Sequence, residues 1–217
     1  MDAADLRDHL LREGISRQVV DVMMSVPRDR FVPSGMRVQA WADHAMAIGH
    51  GQTISQPTVV ALMTQAAAVG PGDHVLDVGT GSGYQAAVLA ACGARVHSIE
   101  RLPMLADRAR ATLAGLAYDV DVICGDGSAG LPGEAPFDAI LVAAATPTVP
   151  PALIAQLRAP GPGRRGGRLV IPIGEPSPWL GGQELVLLER AAEGLARRKL
   201  LDVVFVPLVW DGGSSGE

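Results

Sequence analysis

Apolar positions in the first part of the chain recur at helical spacing. Leu6, Leu10 and Leu11 predict a helix over 3–13 that ends near Gly14. Val19, Val20, Val22 and Met23 predict a second, running from about Ser16 to just before Pro27. The next stretch, VPRDRFVPSG, is broken by two prolines and reads as loop. Residues 36–57 are irregular and rich in small residues, and they end in GHGQTISQP (49–57). Ser55 ahead of Pro57 has the look of a helix start, with Ser55 near the N-cap and Pro57 in the first turn. That helix covers about 57–68 and closes at Gly70-Pro71-Gly72.

Beyond residue 73 the pattern changes to short apolar runs alternating with helical segments. Strands are predicted at 74–78, 95–100, 120–124 and 137–145, and helices at 84–92, 104–116 and 150–158. Three more strands, 168–174, 183–190 and 200–209, follow with little helix between them, so some must pair antiparallel. This alternation predicts an α/β fold, a mostly parallel sheet covered by helices on both faces behind an N-terminal helical extension. Residues 159–167 (APGPGRRGG) read as a surface loop and 211–217 (DGGSSGE) as a flexible tail.

Composition narrows the possibilities. The chain has 217 residues, 48% of them hydrophobic, enough for one substantial core. A net charge of -5, with no basic run beyond Arg164–Arg165 and Arg197–Lys199, argues against binding driven by nucleic-acid phosphates. No apolar run approaches the ~20 residues of a membrane span, and the N-terminus lacks a signal-peptide core. A cytoplasmic protein that binds neither membrane nor nucleic acid is therefore expected. Cys92 and Cys124 lie in apolar contexts and are expected to be buried, reduced thiols. The five histidines show no metal-ligand spacing, so no metal is predicted.

The candidate chemistry begins at VLDVGTGSGY, a glycine turn between a strand and a helix. Gly79, Gly81 and Gly83 allow a tight turn and close approach of a ligand to the backbone. Glu100 ends the next strand, 21 residues after Gly79, where an acid can accept from both ribose hydroxyls of an adenosine. The turn is G-x-G-x-G, and Tyr84 occupies the place of the dinucleotide fingerprint's third glycine, crowding the space of a pyrophosphate. An adenosine ligand without a diphosphate follows, S-adenosylmethionine above all. Asp77 is placed to orient its cationic methionyl part. Asp126 of GDG (125–127) is placed to accept from the adenine amino group, with Gly127 opening the backbone to the ring.

These motifs, taken with VPRDRFVP, IGHGQTISQP, VHSIER, APFDAILVAAA, GGRLVIPIG, QELVLLER and FVPLV in that order, resemble the protein-L-isoaspartate O-methyltransferase family over almost the whole chain. GTGSG alone would mark only a Class I methyltransferase; the combination with GQTISQP is specific. The resemblance implies a doubly wound, seven-stranded Rossmann-like sheet and one methyltransferase domain. Residues 1–56 would carry the N-terminal helices and a substrate and cofactor loop, and 57–210 the core. It implies Ser55 as the active-site residue. Ile48, Gly49, His50, Gly51, Gln52, Thr53, Ser82, Glu100, Asp126 and Gly127 would contact the cofactor, with Thr53, Ile54, Ser55 and Ala144 positioning the substrate. Ala47, His50 and the longer 159–167 loop depart from the family pattern.

The implied reaction moves a methyl group from S-adenosylmethionine to the free α-carboxylate of an isoaspartyl residue, leaving S-adenosylhomocysteine and an ester that closes to a succinimide. A carboxylate of pKa ~4 is already ionised at neutral pH, so no general base is required, and the thioether leaves without a general acid. What remains is alignment and exclusion of water, suited to Ser55 and an uncharged loop. An alternative stays open: methylation of an aspartate side chain in one dedicated peptide, driving aspartimide formation. Isoaspartyl proteins or peptides are the expected partners, and the chain is expected to act as a monomer.

Overall fold

The computed structural model describes residues 1–175 and 182–209; the predicted tail 211–217 lies outside them. Helix α1 (Ala3–Arg12) starts at a capping box in which Asp2 and Asp5 each accept from the other's backbone N–H. Helix α2 (Arg17–Ser25) is capped by Ser16. Their apolar stripes, Leu6 and Leu10 on one and Val20 and Met23 on the other, are fully buried. Two short 3-10 turns follow, Arg28–Phe31 after Pro27 and Ser34–Gln39 after Pro33.

The stretch 36–57, predicted as irregular, contains a small antiparallel hairpin: β1 (Met46–Gly49) and β2 (Gln52–Ile54), paired Met46 to Ile54 and Ala47 to Thr53. Its tip takes three consecutive positive φ angles, at Gly49, His50 and Gly51. Glycine suits the first and third. Helix α3 (Pro57–Ala67) begins where predicted, but its N-cap position is Gln56 rather than Ser55, with no cap bond from it. Asp43 supplies the acceptor instead, at 2.8 Å from the Thr58 N–H.

The main sheet has seven strands: β3 (His74–Val78), β4 (Arg95–Glu100), β5 (Val120–Cys124), β6 (Ala139–Val142), β7 (Arg168–Ile173), β8 (Gln183–Arg190) and β9 (Leu195–Val203). Their order is β5-β4-β3-β6-β7-β8-β9; β3 to β7 run parallel, β8 runs against them, and β9 pairs antiparallel with β8 and so resumes their direction. Helices α4 (Tyr84–Ala91), α5 (Pro103–Gly115) and α6 (Pro151–Ala155) complete the doubly wound fold. Strand alternation divides the core. Val75, Leu141, Val170 and Leu185 face one cluster with α1–α5, while Leu76, Ile140, Leu169 and Val186 face the other with Leu153 of α6. The chain winds outward from β3 to β5 and then returns to β6 on β3's other side, so β3 and β6 form the switch point where such sheets open a crevice.

Two expectations need correction. The last strand was predicted at 200–209, but β9 begins at Leu195 and ends at Val203. Its first half is an exposed edge rich in charge, without the apolar signature of a buried strand. The cysteines are not both buried: Cys92 is half-buried and Cys124 is exposed at the end of the edge strand β5. In the 159–167 loop, Arg164 reaches Asp138 at 3.0 Å and Arg165 donates to the Ala68 carbonyl, so the loop is pinned to the body of the fold.

Candidate active site

A cavity of about 610 Å³ opens at the carboxyl ends of β3, β4 and β6. Its first wall is the glycine turn. The Gly79 and Thr80 N–H groups both donate to the Ile99 carbonyl, which folds the turn against β4. Gly79, Gly81 and Gly83 all have positive φ. Gly83 also lies close to α5, since a Cβ there would stand 3.3 Å from Leu113. Glu100 is buried and accepts from the Gly81 N–H at 2.8 Å through Oε2 and from the Leu102 N–H at 2.9 Å through Oε1. A carboxylate has about four lone-pair sites, so roughly two remain for a diol. Gly127 lies against the same floor, where a Cβ would come 2.5 Å from Val78 Cγ1. Only glycine fits there. The wall therefore suits a ribose with a flat ring beside it.

The second wall is residues 52–56, which contain no charged side chain. Ile48 is buried beneath it, its Cδ1 3.6 Å from where a Cβ at Gly81 would stand. Sequence reasoning missed what holds this wall. Arg28, in the proline-broken segment VPRDRFVP, is completely buried. Its Nη2 donates to the Ser55 carbonyl at 2.7 Å and its Nε to the Ala40 carbonyl at 2.8 Å. Its guanidinium lies 4.7 Å above the centre of the Tyr84 ring. Burial lowers its pKa, against the opposing pull of Tyr84. Tyr84 packs edge-on to Phe31 at 5.5 Å, and burial pushes its phenol up to about 12. The residue that replaces the third glycine thus also anchors the N-terminal extension.

Asp43 is the other unforeseen support. It accepts from the Thr58 N–H and hydroxyl and from the Gln56 amide, and pairs with His9 at 3.0 Å. Burial alone would raise its pKa, but these bonds outweigh burial and hold the carboxyl below its usual range.

Residues 143–144 and 201–209 close the cavity. Ala145 donates to the Val206 carbonyl and accepts from the Leu208 N–H. The Gln183 amide binds both the N–H and the carbonyl of Phe205. The segment after β9 is held across the strand ends in this way. Nothing in FVPLV beyond its apolar character pointed to that placement.

Of the residues predicted for the site, Gln52, Thr53, Ile54, Ser55, Gly79, Gly81, Ser82, Glu100, Gly127 and Ala144 line the cavity. Gly49, His50 and Gly51 form the exposed hairpin tip and do not line it. Asp126 accepts from the Ser128 N–H at 2.9 Å just outside the wall. Asp77 is fully buried on the opposite side of β3 from the wall residue Val78. The Ser98 hydroxyl donates to Asp77 Oδ2 at 2.7 Å and lies 2.5 Å from the Thr80 hydroxyl, while Asp77 Oδ1 has no partner. Burial drives the Asp77 pKa up to about 7; the Ser98 bond opposes this and Glu100 adds to it.

A crevice of this kind, at the carboxyl ends of a mostly parallel seven-stranded sheet flanked by helices, fits the Rossmann-like architecture of the Class I S-adenosylmethionine-dependent methyltransferases. Fold alone leaves the substrate open. Sequence closes much of that gap: the chain belongs to the protein-L-isoaspartate(D-aspartate) O-methyltransferase family, which it matches over residues 1–212. A protein-L-isoaspartate O-methyltransferase of Koribacter versatilis is 48% identical over 218 residues, covering 99% of this chain and 94% of its own. A solved protein from Plasmodium falciparum, titled a putative protein-L-isoaspartate O-methyltransferase in complex with S-adenosyl-L-homocysteine, superposes with a TM-score of 0.80 at 26% identity, over 96% and 99% of the two chains. A second solved protein-L-isoaspartate O-methyltransferase also gives 0.80 at 26% identity; this chain covers 65% of its length.

Proposed function

We propose that the chain is a protein-L-isoaspartate(D-aspartate) O-methyltransferase, methylating the free α-carboxylate of isoaspartyl residues in damaged proteins or peptides. The observation that carries this reading is the pairing of two unlike walls across one cavity, an uncharged loop at 52–56 and an adenosine-type wall at 79–82 with Glu100. S-adenosylmethionine, when bound, supplies an electrophilic methyl group. Glu100 holds the ribose hydroxyls and Gly127 admits the adenine, with Asp126 accepting from its amino group. Gly79, Gly81, Ser82 and Gly83 shape the turn that passes beneath it. Asp77 orients the methionyl end from behind that turn, and Ile48–Gly51 form the hairpin that closes over the cofactor with Gln52 and Thr53.

Ser55 is the catalytic residue in this reading. Its hydroxyl, with Thr53 and Ile54 beside it and Ala144 opposite, positions the substrate carboxylate for in-line attack. A neutral donor orients the carboxylate without quenching it as a salt bridge would. The small residues at 143–144 let a peptide backbone come close. No proton needs to be taken or given in this reaction. We read the enzyme as a monomer of the cytoplasm acting on flexible polypeptide segments.

The test is methyl transfer from labelled S-adenosylmethionine to three matched peptides bearing isoaspartate, aspartate or asparagine at one position. Base-labile label on the isoaspartyl peptide alone is expected. Label confined to the aspartyl peptide would replace this reading with dedicated peptide tailoring.

A further inference from the structure

The opposite end of the sheet holds a second cluster of chemistry-bearing side chains. His74 opens β3, and His97 stands on the neighbouring strand β4. Their rings meet edge-on, 5.0 Å between centres, and both rest on Phe137. Glu134 reaches in from the loop before β6, with Oε2 at 3.5 Å from His97 Nε2. One ring nitrogen from each histidine and a Glu134 carboxylate oxygen all lie within 4.8 Å of one another.

The imidazoles are set up as ligands are. His97 is 4% exposed, and its Nε2 is buried with no hydrogen-bond partner. Its Nδ1 faces the Asp121 carboxylate at 3.3 Å, the kind of partner that orients a ring to ligate through its other nitrogen. His74 repeats the arrangement: it hydrogen-bonds to the Pro136 carbonyl, and its own Nε2 is buried without a partner. A ring nitrogen tied to a carboxylate or backbone carbonyl, with the other nitrogen free, is the usual support of a metal-bound histidine. Two buried ring nitrogens without partners are otherwise a cost to the fold.

We propose that His74, His97 and Glu134 form a binding site for a divalent transition ion of the zinc class, remote from the methyl-transfer cavity. Two imidazoles and one carboxylate suit zinc, cobalt or nickel, whereas calcium and magnesium prefer all-oxygen sites. Zinc holds such donors at about 2.0–2.2 Å, placing neighbouring donors roughly 3.3–3.5 Å apart. The His97–Glu134 pair already has that spacing. Closing the set means drawing together donors now up to 4.8 Å apart, and the Glu134 side chain, 42% exposed, has room to move. Arg95, at 3.0 Å from Glu134 Oε2, is the competing cation; its side chain is 67% exposed and free to swing away. Three protein ligands leave the fourth position to water. The bound ion would fasten the 131–137 loop to the first two strands of the parallel sheet. Sequence spacing hides this site because its ligands meet only through strand pairing.

The experiment uses the untagged, chelator-treated full chain, titrated with zinc against a chromophoric competitor and separately with cobalt. One zinc per chain with a micromolar or tighter Kd is expected, a rise in thermal midpoint on zinc but not on magnesium, and cobalt absorption bands of a four-coordinate site. Glu134→Gln, on a partly exposed residue, should weaken zinc at least tenfold while folding normally. His74→Gln should abolish the cobalt bands. Binding that is absent, or that survives unchanged in both variants, overturns the proposal. If His74→Gln does not fold, the Glu134→Gln affinity alone decides the matter.

Discussion

The buried carboxyl of Asp77 makes a prediction whose size can be worked out in advance. Its pKa in the fold, about 7, stands above the ordinary value of 3.8, so the folded chain holds this proton more tightly than the unfolded chain. The stability associated with the neutral carboxyl is complete below the unfolded value and is lost as pH rises through about 7. At about 1.4 kcal/mol per tenfold change in proton affinity, the full loss is roughly 4 kcal/mol. About 2.5–3 kcal/mol of it falls between pH 5 and pH 8.5.

Asp77→Asn removes the titration and keeps the acceptor for Ser98. The new amide nitrogen takes the place of Oδ1, which has no partner, at a cost of about 1–3 kcal/mol that does not vary with pH. The difference in unfolding free energy between the two proteins should therefore slope. The substituted protein gains about 2.5–3 kcal/mol relative to the natural one from pH 5 to pH 8.5, whatever the constant offset. Urea unfolding of the cofactor-free proteins, measured as pairs across that range, reads the slope directly, because the other titrating groups cancel. A difference flat to within about 0.5 kcal/mol would refute the argument, since it would mean that Asp77 ionises as readily in the fold as outside it.

Substitutions at three further residues separate the parts of the site. Ser55→Ala should lower kcat about 10²-fold, the scale of a lost positioning donor, with S-adenosylmethionine affinity changed less than about threefold by calorimetry; a defect mainly in cofactor affinity would contradict its role. Gly127→Ala places a Cβ 2.5 Å from Val78 Cγ1, so Val78 must shift. Overpacking of about 1–3 kcal/mol in denaturant midpoint, with at least a tenfold weaker cofactor Kd, is expected, and unchanged affinity would show that the ring does not use this space. Arg28→Met leaves the Ser55 and Ala40 carbonyls buried without their donor, and should cost about 2–4 kcal/mol of stability and most of kcat. Arg28→Lys should recover part of the stability and less of kcat, because one ammonium cannot reproduce the fork that spans both carbonyls.

What the sequence disclosed follows from whether a feature is local. The glycine turn, the alternation from residue 74 and the helix start at Pro57 each depend on neighbours within a few positions, and they stand where the pattern puts them. The hairpin at 46–54 escaped because two strands of four and three residues carry too little alternation to see. The first half of β9 escaped because an exposed edge needs no apolar face. The Gln183 clamp on Phe205, the Asp43 cap on α3 and the His74–His97 pair join residues 22, 15 and 23 positions apart, and none leaves a periodic trace.

Arg28 shows why such a residue matters even where the chemistry is legible. An uncharged loop at 52–56 was expected because a cation at the carboxylate would hold it and blunt its attack. A loop with no charge, entered through Gly49 and Gly51, would also be slack, and slack of about 1 Å costs roughly 10²-fold in alignment. The structure meets both demands by placing the cation behind the loop. Two arms of the guanidinium hold the carbonyls of Ala40 and Ser55, and its face lies on Tyr84. Arg28 does not line the cavity. Its charge therefore fixes the backbone that carries the Ser55 hydroxyl without presenting itself to the nucleophile. The proline-broken segment that read as a connector is part of the machinery that positions the substrate.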